Sequence, residues 1–164
     1  MNIKQATGIF LFIGLLAAAV WYWQTQTVRV APAVSFTTIK GENLSLPTLK
    51  GKPVIVTFWA TDCPGCIEEI PQLVSLYQQY SQQGLNIIAV AMHYDPPNHV
   101  REMAESKKLP YAIALDPSGE LAQAFGNVQL TPTTFLIDKA GNIIMEKVGV
   151  FNLADMKRRL ESLS

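Results

Sequence analysis

Cysteine is almost absent from this chain, with only Cys63 and Cys66 in 164 residues, so any thiol chemistry rests on a single C-x-x-C pair. An excess of charge of either sign is missing too. Thirteen basic residues balance thirteen acidic ones, which removes the electrostatic case for nucleic acid, because phosphate binding needs a basic surface surplus. There are only two histidines, His93 and His99, and their separation from Cys66 and from each other fits standard zinc fingers poorly. They read as solvated loop residues. No internal repeat and no low-complexity tract occurs, and the chemistry requires neither a cofactor nor a metal. The length suits one domain, and 49% hydrophobic with 16% charged residues describes a globular chain that carries an apolar extra.

The two thiols sit in an informative place. Val54-Ile55-Val56-Thr57-Phe58-Trp59 is a short apolar run rich in β-branched and aromatic residues, as a central parallel strand requires. After the pair, Ile67, Ile70, Leu73, Val74 and Tyr77 recur at helical spacing, so Cys63-Pro64-Gly65-Cys66 lies on a strand-to-helix turn. Pro64 at the first helical position costs no intrahelical bond. At a helix N-terminus the unpaired N–H groups and the positive end of the dipole stabilise a thiolate. Cys63 therefore reads as the attacking sulfur, and Cys66, one turn in and more buried, as the thiol that resolves a mixed disulfide.

Phe58-Trp59-Ala60, the C-x-x-C pair, Pro71 five residues beyond it and Thr131-Pro132 ahead of an apolar strand together resemble the thioredoxin superfamily. The long spacing from Cys66 to Pro132, Glu68-Glu69 after the motif and an N-terminal hydrophobic segment are closer to its membrane-tethered TlpA/ResA/CcmG-like branch. The likeness covers Ala33 to Ser164. It implies an α/β thioredoxin-like fold, a central mixed sheet flanked by helices, with an N-terminal hairpin, a central insert and one N-terminal transmembrane helix. It also implies thiol-disulfide exchange with exported protein thiols, most readily as a reductase, recharged by a membrane electron donor of the DsbD or CcdA type. Oxidation or isomerisation of exported proteins is the nearest alternative. A thiol peroxidase would need threonine three positions before its cysteine, whereas Thr61 sits two before Cys63, and copper-delivery proteins usually space their thiols more widely.

The same resemblance assigns roles around the motif. Pro132 should follow a cis bond beside the disulfide, with the Thr131 main chain pairing to an extended substrate, and Trp59, Pro64 and Gly65 completing the contact surface. Thr57 stands where thioredoxins hold a buried acid. Glu69, on the helix face of Cys66, resembles the acid that the branch uses near its disulfide; partly desolvated, it would have a raised pKa and could take the Cys66 proton. The alternative is that Glu69, like Glu68, only complements the helix dipole. Asp62 departs from the aromatic residue usual before the first cysteine, and it either raises the Cys63 thiolate pKa or faces solvent. Pro71 matches the structural kink of the family helix.

Gly8 to Trp23 is uncharged and nearly all apolar, preceded by Lys4 and closed by Trp21-Tyr22-Trp23. With Ala6 and Thr7 it would span about 27 Å as a helix, close to a thin bilayer core. The expectation is an anchor over 1–23 with the N-terminus in the cytoplasm, set by the charge ahead of it, and a catalytic domain outside a bacterial inner membrane. A cleaved signal peptide competes, since Ala17-Ala18-Ala19 offers small residues after a short apolar stretch. The segment holds no cysteine for a lipid anchor. Residues 24–33 read as a tether and 34–164 as the domain.

Further along, Ser35 to Ile39 and Leu44 to Leu46 suggest a small hairpin. Gly84 should cap the motif helix, Leu85 to Met92 should be a buried strand, Asn98 to Lys108 a helix, Tyr111 to Ala114 a short strand, and Ser118 to Phe125 a short helix. Thr133 to Ile137 and Asn142 to Lys147 should pair. Leu153, Met156 and Leu160 give the last helix its apolar face, in which nothing suggests chemistry.

Overall fold

The computed structural model describes residues 28–163, so the apolar N-terminal segment and the start of the tether lie outside the described residues. Among the described residues, no helix is long and apolar enough to cross a membrane.

The sheet is built around β4 (Val54–Trp59), in which every residue is buried. A strand buried on both faces must be apolar throughout, and its alternation divides the interior. Val54, Val56 and Phe58 join one cluster with Phe36, Phe125 and Phe135, while Ile55 and Trp59 join another with Cys66, Leu73, Leu76, Met156 and Leu160. β5 (Asn86–Ala91) and then β6 (Ala112–Leu115) extend the sheet in parallel on one side of β4. On the other side β7 (Thr133–Ile137) and β8 (Asn142–Val148) follow in antiparallel order. This is the mixed sheet expected for a thioredoxin-like fold. The hairpin also forms, as β2 (Ser35–Thr37) and β3 (Asn43–Ser45), closed by Glu42 N–H donating to Thr38 Oγ1 at 3.1 Å and bridged to β6 through Thr38 and Ala114.

The motif helix α1 (Pro64–Tyr80) runs through Pro71 and leads by one short 3-10 turn to Gly84, whose φ of +100° is the left-handed conformation expected of its cap. The insert supplies α2 (Pro97–Ser106), which ends two residues early because Lys108 turns left-handed and Leu109 N–H bonds back to the Ala104 carbonyl. α3 (Glu120–Ala124) is shorter than the apolar pattern suggested, and the Asp116 carboxylate accepts its first free N–H groups, from Leu121 at 3.1 Å and Ala122 at 2.8 Å. The last helix is α4 (Leu153–Ser162).

The tether differs from its reading. It does not run free to Ala33, because β1 (Arg29–Val30) pairs antiparallel with the outer edge of β8, Arg29 opposite Ile143 and Val30 opposite Asn142. The Arg29 side chain fixes it there: the guanidinium pairs with Glu146, donates to the Phe125 carbonyl at 2.6 Å and lies over the Phe135 ring. The chain joins the sheet at Arg29, five residues ahead of the boundary set at 34.

Candidate active site

The C-terminal end of β4 and the N-terminus of α1 place the two sulfurs. Cys63 is the extended residue that caps α1, and its sulfur accepts the Cys66 N–H at 3.2 Å. That hydrogen bond, with the helix terminus, supplies the positive environment a thiolate needs at this position. Cys63 and Cys66 are joined as a disulfide with their Cα atoms 5.2 Å apart. Cys63 is half-buried and Cys66 buried, the asymmetry expected of an attacking and a resolving thiol.

A second loop closes the site from the β7 side. Thr131-Pro132 is cis, Pro132 is buried, and its carbonyl accepts the Gly149 N–H at 2.8 Å, which ties this turn to the end of β8. Gly65 lets α1 approach: a Cβ added there would lie 3.3 Å from Pro132 Cδ and 3.4 Å from Val150 Cγ2. Thr131 and Gly65 are half-buried, Pro64 is exposed and Pro132 is buried. Trp59 is 4% exposed, turned by strand alternation to the same face as Ile55 and Thr57, beneath α1, in the wall behind Cys66.

That wall encloses Glu69, whose side chain is 1% exposed. Its Oε2 accepts from the hydroxyls of Thr57 at 3.3 Å and Thr134 at 3.2 Å, which are themselves 2.8 Å apart across β4 and β7. Its Oε1 accepts the Phe151 N–H at 3.3 Å. Among the described residues no cation pairs with it. Desolvation outweighs these hydrogen bonds and raises the Glu69 pKa to about 7. Burial, joined by the charge of Glu69, pushes the neighbouring Tyr111 hydroxyl up as well. Cys66, Glu69, Thr57, Trp59 and Tyr111 line one cavity of about 10 Å³, close to the smallest that holds a water. Among the described residues no hydrogen-bond acceptor meets the buried Trp59 Nε1.

Glu69 thus has the burial and the raised pKa read from its position, whereas Glu68 is exposed at the helix surface. Asp62 takes the solvent-facing alternative. His93 and His99 are both exposed, His93 packed edge-on to Tyr94.

Three contributors escaped sequence reasoning. Thr134 and the Phe151 N–H reach Glu69 from β7 and from the approach to α4, a helix read as having no part in chemistry. Asp95, buried in the loop after β5, accepts from Thr61 twice, from the N–H and from Oγ1, each at 2.7 Å, and so clamps the turn that presents Cys63. Only the Thr57–Thr134 pairing had a sequence signal, since each hydroxyl interrupts an apolar strand.

The Redoxin family model matches residues 27–161. The chain is 37% identical over 133 residues to the thiol-disulfide oxidoreductase ResA of Geobacillus kaustophilus, covering 81% of this chain and 75% of that one. It is 30% identical over 158 residues to sporulation thiol-disulfide oxidoreductase A of Bacillus subtilis, covering 92% and 94%. Among solved structures, a thioredoxin-family thiol:disulfide interchange protein of Chlorobium tepidum superposes with a TM-score of 0.76 at 30% identity, covering 83% of this chain and 96% of that one. StoA of Bacillus subtilis superposes with a TM-score of 0.66 at 31% identity, covering 77% and 98%.

Proposed function

The chain belongs to the Redoxin family, as a thiol-disulfide oxidoreductase related to ResA and StoA, and from that premise we propose that it reduces disulfides in exported proteins. The observation that carries the reading is the Cys63–Cys66 pair at the head of α1 beside the cis Thr131-Pro132 turn, with the buried Glu69 behind the second sulfur.

In the reduced protein the Cys63 thiolate attacks one sulfur of the substrate disulfide, and the other substrate sulfur leaves as a thiolate. The extended substrate segment lies against the Thr131 main chain, with Pro132, Pro64 and Gly65 completing the groove. Cys66 then attacks the Cys63 sulfur, forming the Cys63–Cys66 disulfide and releasing the second substrate thiolate. Its proton passes to Glu69 across the small cavity they share. A carboxyl with a pKa of about 7 exchanges protons in either direction near neutrality, which suits a group that must take the proton on resolution and return it on recharging. Two electrons then return to the pair from a membrane donor of the DsbD or CcdA type.

The apolar segment Gly8 to Trp23 supports a single-pass anchor over 1–23 in a bacterial inner membrane, with the N-terminus cytoplasmic and the redox domain on the outer side.

The test is anaerobic mixing of the reduced full chain with a peptide disulfide. Stoichiometric appearance of peptide thiol, absent in Cys63→Ser and arrested as a mixed disulfide in Cys66→Ser, is expected. A peptide disulfide left intact by the reduced chain, with the oxidised chain instead converting the reduced peptide to its disulfide, would overturn the reductase assignment.

A further inference from the structure

Among the described residues six large apolar side chains stand exposed, and four of them, Val28, Val30, Ile144 and Val148, lie along one edge of the sheet. Val28 and Val30 are 65% and 67% exposed and flank Arg29, Val30 within the outermost strand and Val28 just ahead of it. Among the described residues β1 pairs with β8 at Asn142 and Ile143 and no strand pairs with the outer edge of the rest of β8 as far as Val148, which is opposite Thr133 and next to the Gly149–Pro132 bond of the redox site. An exposed apolar edge is a feature that soluble sheets ordinarily suppress.

The length of chain ahead of this edge decides what covers it. Five residues, Gln24 to Val28, separate the apolar stretch ending at Trp23 from Arg29. Fully extended they reach about 17 Å. Arg29 is pinned by Glu146, the Phe125 carbonyl and the Phe135 ring, so no slack can be drawn from farther into the domain. Because β1 runs antiparallel to β8, the chain comes to Arg29 from the side of Val148. Whatever holds Trp23 therefore holds the β1–β8 edge close to it.

On the anchor reading above, we propose that the outer edge of β1 and β8 rests on the lipid interface, with Val28, Val30, Ile144 and Val148 against the headgroup layer. Lys147, exposed on the same edge, can extend its amine to lipid phosphates. The domain then lies on its side, its β6 and α2 edge outermost, and the redox end of β8 stays at a short fixed height above the bilayer. That posture suits exchange with a thiol pair carried by a membrane-embedded partner.

The full chain, isotopically labelled and placed in nanodiscs of phosphatidylethanolamine and phosphatidylglycerol, tests this with a lipid whose headgroup carries a nitroxide. The amides of Val30, Ile144 and Val148 should lose most of their signal, while those of Arg101, Glu105 and Ala112 on the opposite edge keep theirs. Val30→Ser with Ile144→Ser should leave the chain in the discs and weaken that imprint. Even signal loss over both edges, or loss on the α2 edge alone, would overturn the proposal while leaving the anchor standing. Edge amides untouched by the nitroxide lipid but broadened when two copies share a disc would assign the edge to a second copy and overturn it equally. A chain that does not stay with the discs would overturn the anchor reading and this inference with it.

Discussion

Two buried carboxylates flank the thiol motif, and they are held in opposite ways. Glu69, behind Cys66, has hydrogen bonds of 3.2–3.3 Å from two hydroxyls and one amide, and burial wins, raising its pKa to about 7. Asp95, beside Thr61, accepts two bonds of 2.7 Å from a single residue. Short bonds fix a geometry, whereas long ones around a desolvated acid leave a proton free to come and go. The contrast separates a group suited to proton traffic from a group suited to posture, on the two sides of one turn.

The largest way to break the contrast is Glu69→Gln. General-base assistance contributes about 10²-fold or more, so resolution of the mixed disulfide should slow by about that factor near neutral pH, measured by quenched-flow trapping. The pH dependence near 7 should disappear with it. An unchanged profile would reduce Glu69 to a packing role.

The same substitution sharpens the comparison in stability. Glu69 has a folded pKa raised above its unfolded value, so the folded state binds the extra proton between about pH 4.5 and 7. Stability of the oxidised protein should therefore fall as pH rises through that window, by on the order of 3 kcal/mol, and level off above it. Denaturant unfolding across the window should show the slope in the native chain and lose it in Glu69→Gln.

Asp95→Ala leaves the Thr61 N–H and hydroxyl without their acceptor and should cost about 2 kcal/mol. Because it works through posture, it should keep the Glu69 slope intact while slowing attack by Cys63 more than resolution by Cys66. Loss of the slope in this variant would merge the two roles. The smallest effect is expected for Thr134→Val, which removes one donor from Glu69: about 1 kcal/mol of stability at high pH, and a further upward move of the Glu69 pKa, read from the carboxyl resonance of the labelled side chain.

Much of this was legible in the sequence because the signals were local. The apolar run Val54 to Trp59, the spacing of Ile67, Ile70, Leu73, Val74 and Tyr77, and Pro64 at the helix start each declare themselves within a few residues, and together they located the thiols. Glu69 was legible because it lies on the helix face of Cys66. Trp59 is harder to read, because its place among the substrate contacts came from family likeness while the alternation of β4 pairs it with Ile55 and Thr57 on one buried face. β1 was illegible for another reason: two residues carry no period, and the β8 partner of Arg29 lies more than a hundred positions away. Asp95 and the Phe151 amide were hidden likewise, since their partners are brought to them only by the closed sheet.

The central claim, that this pair is built to donate electrons, is tested most directly by the reduction potential of the Cys63/Cys66 couple in the full chain, equilibrated against dithiothreitol or glutathione buffers. The account predicts a value near or below that of thioredoxin, about −270 mV. A value near about −120 mV, that of a strong thiol oxidant, would contradict it.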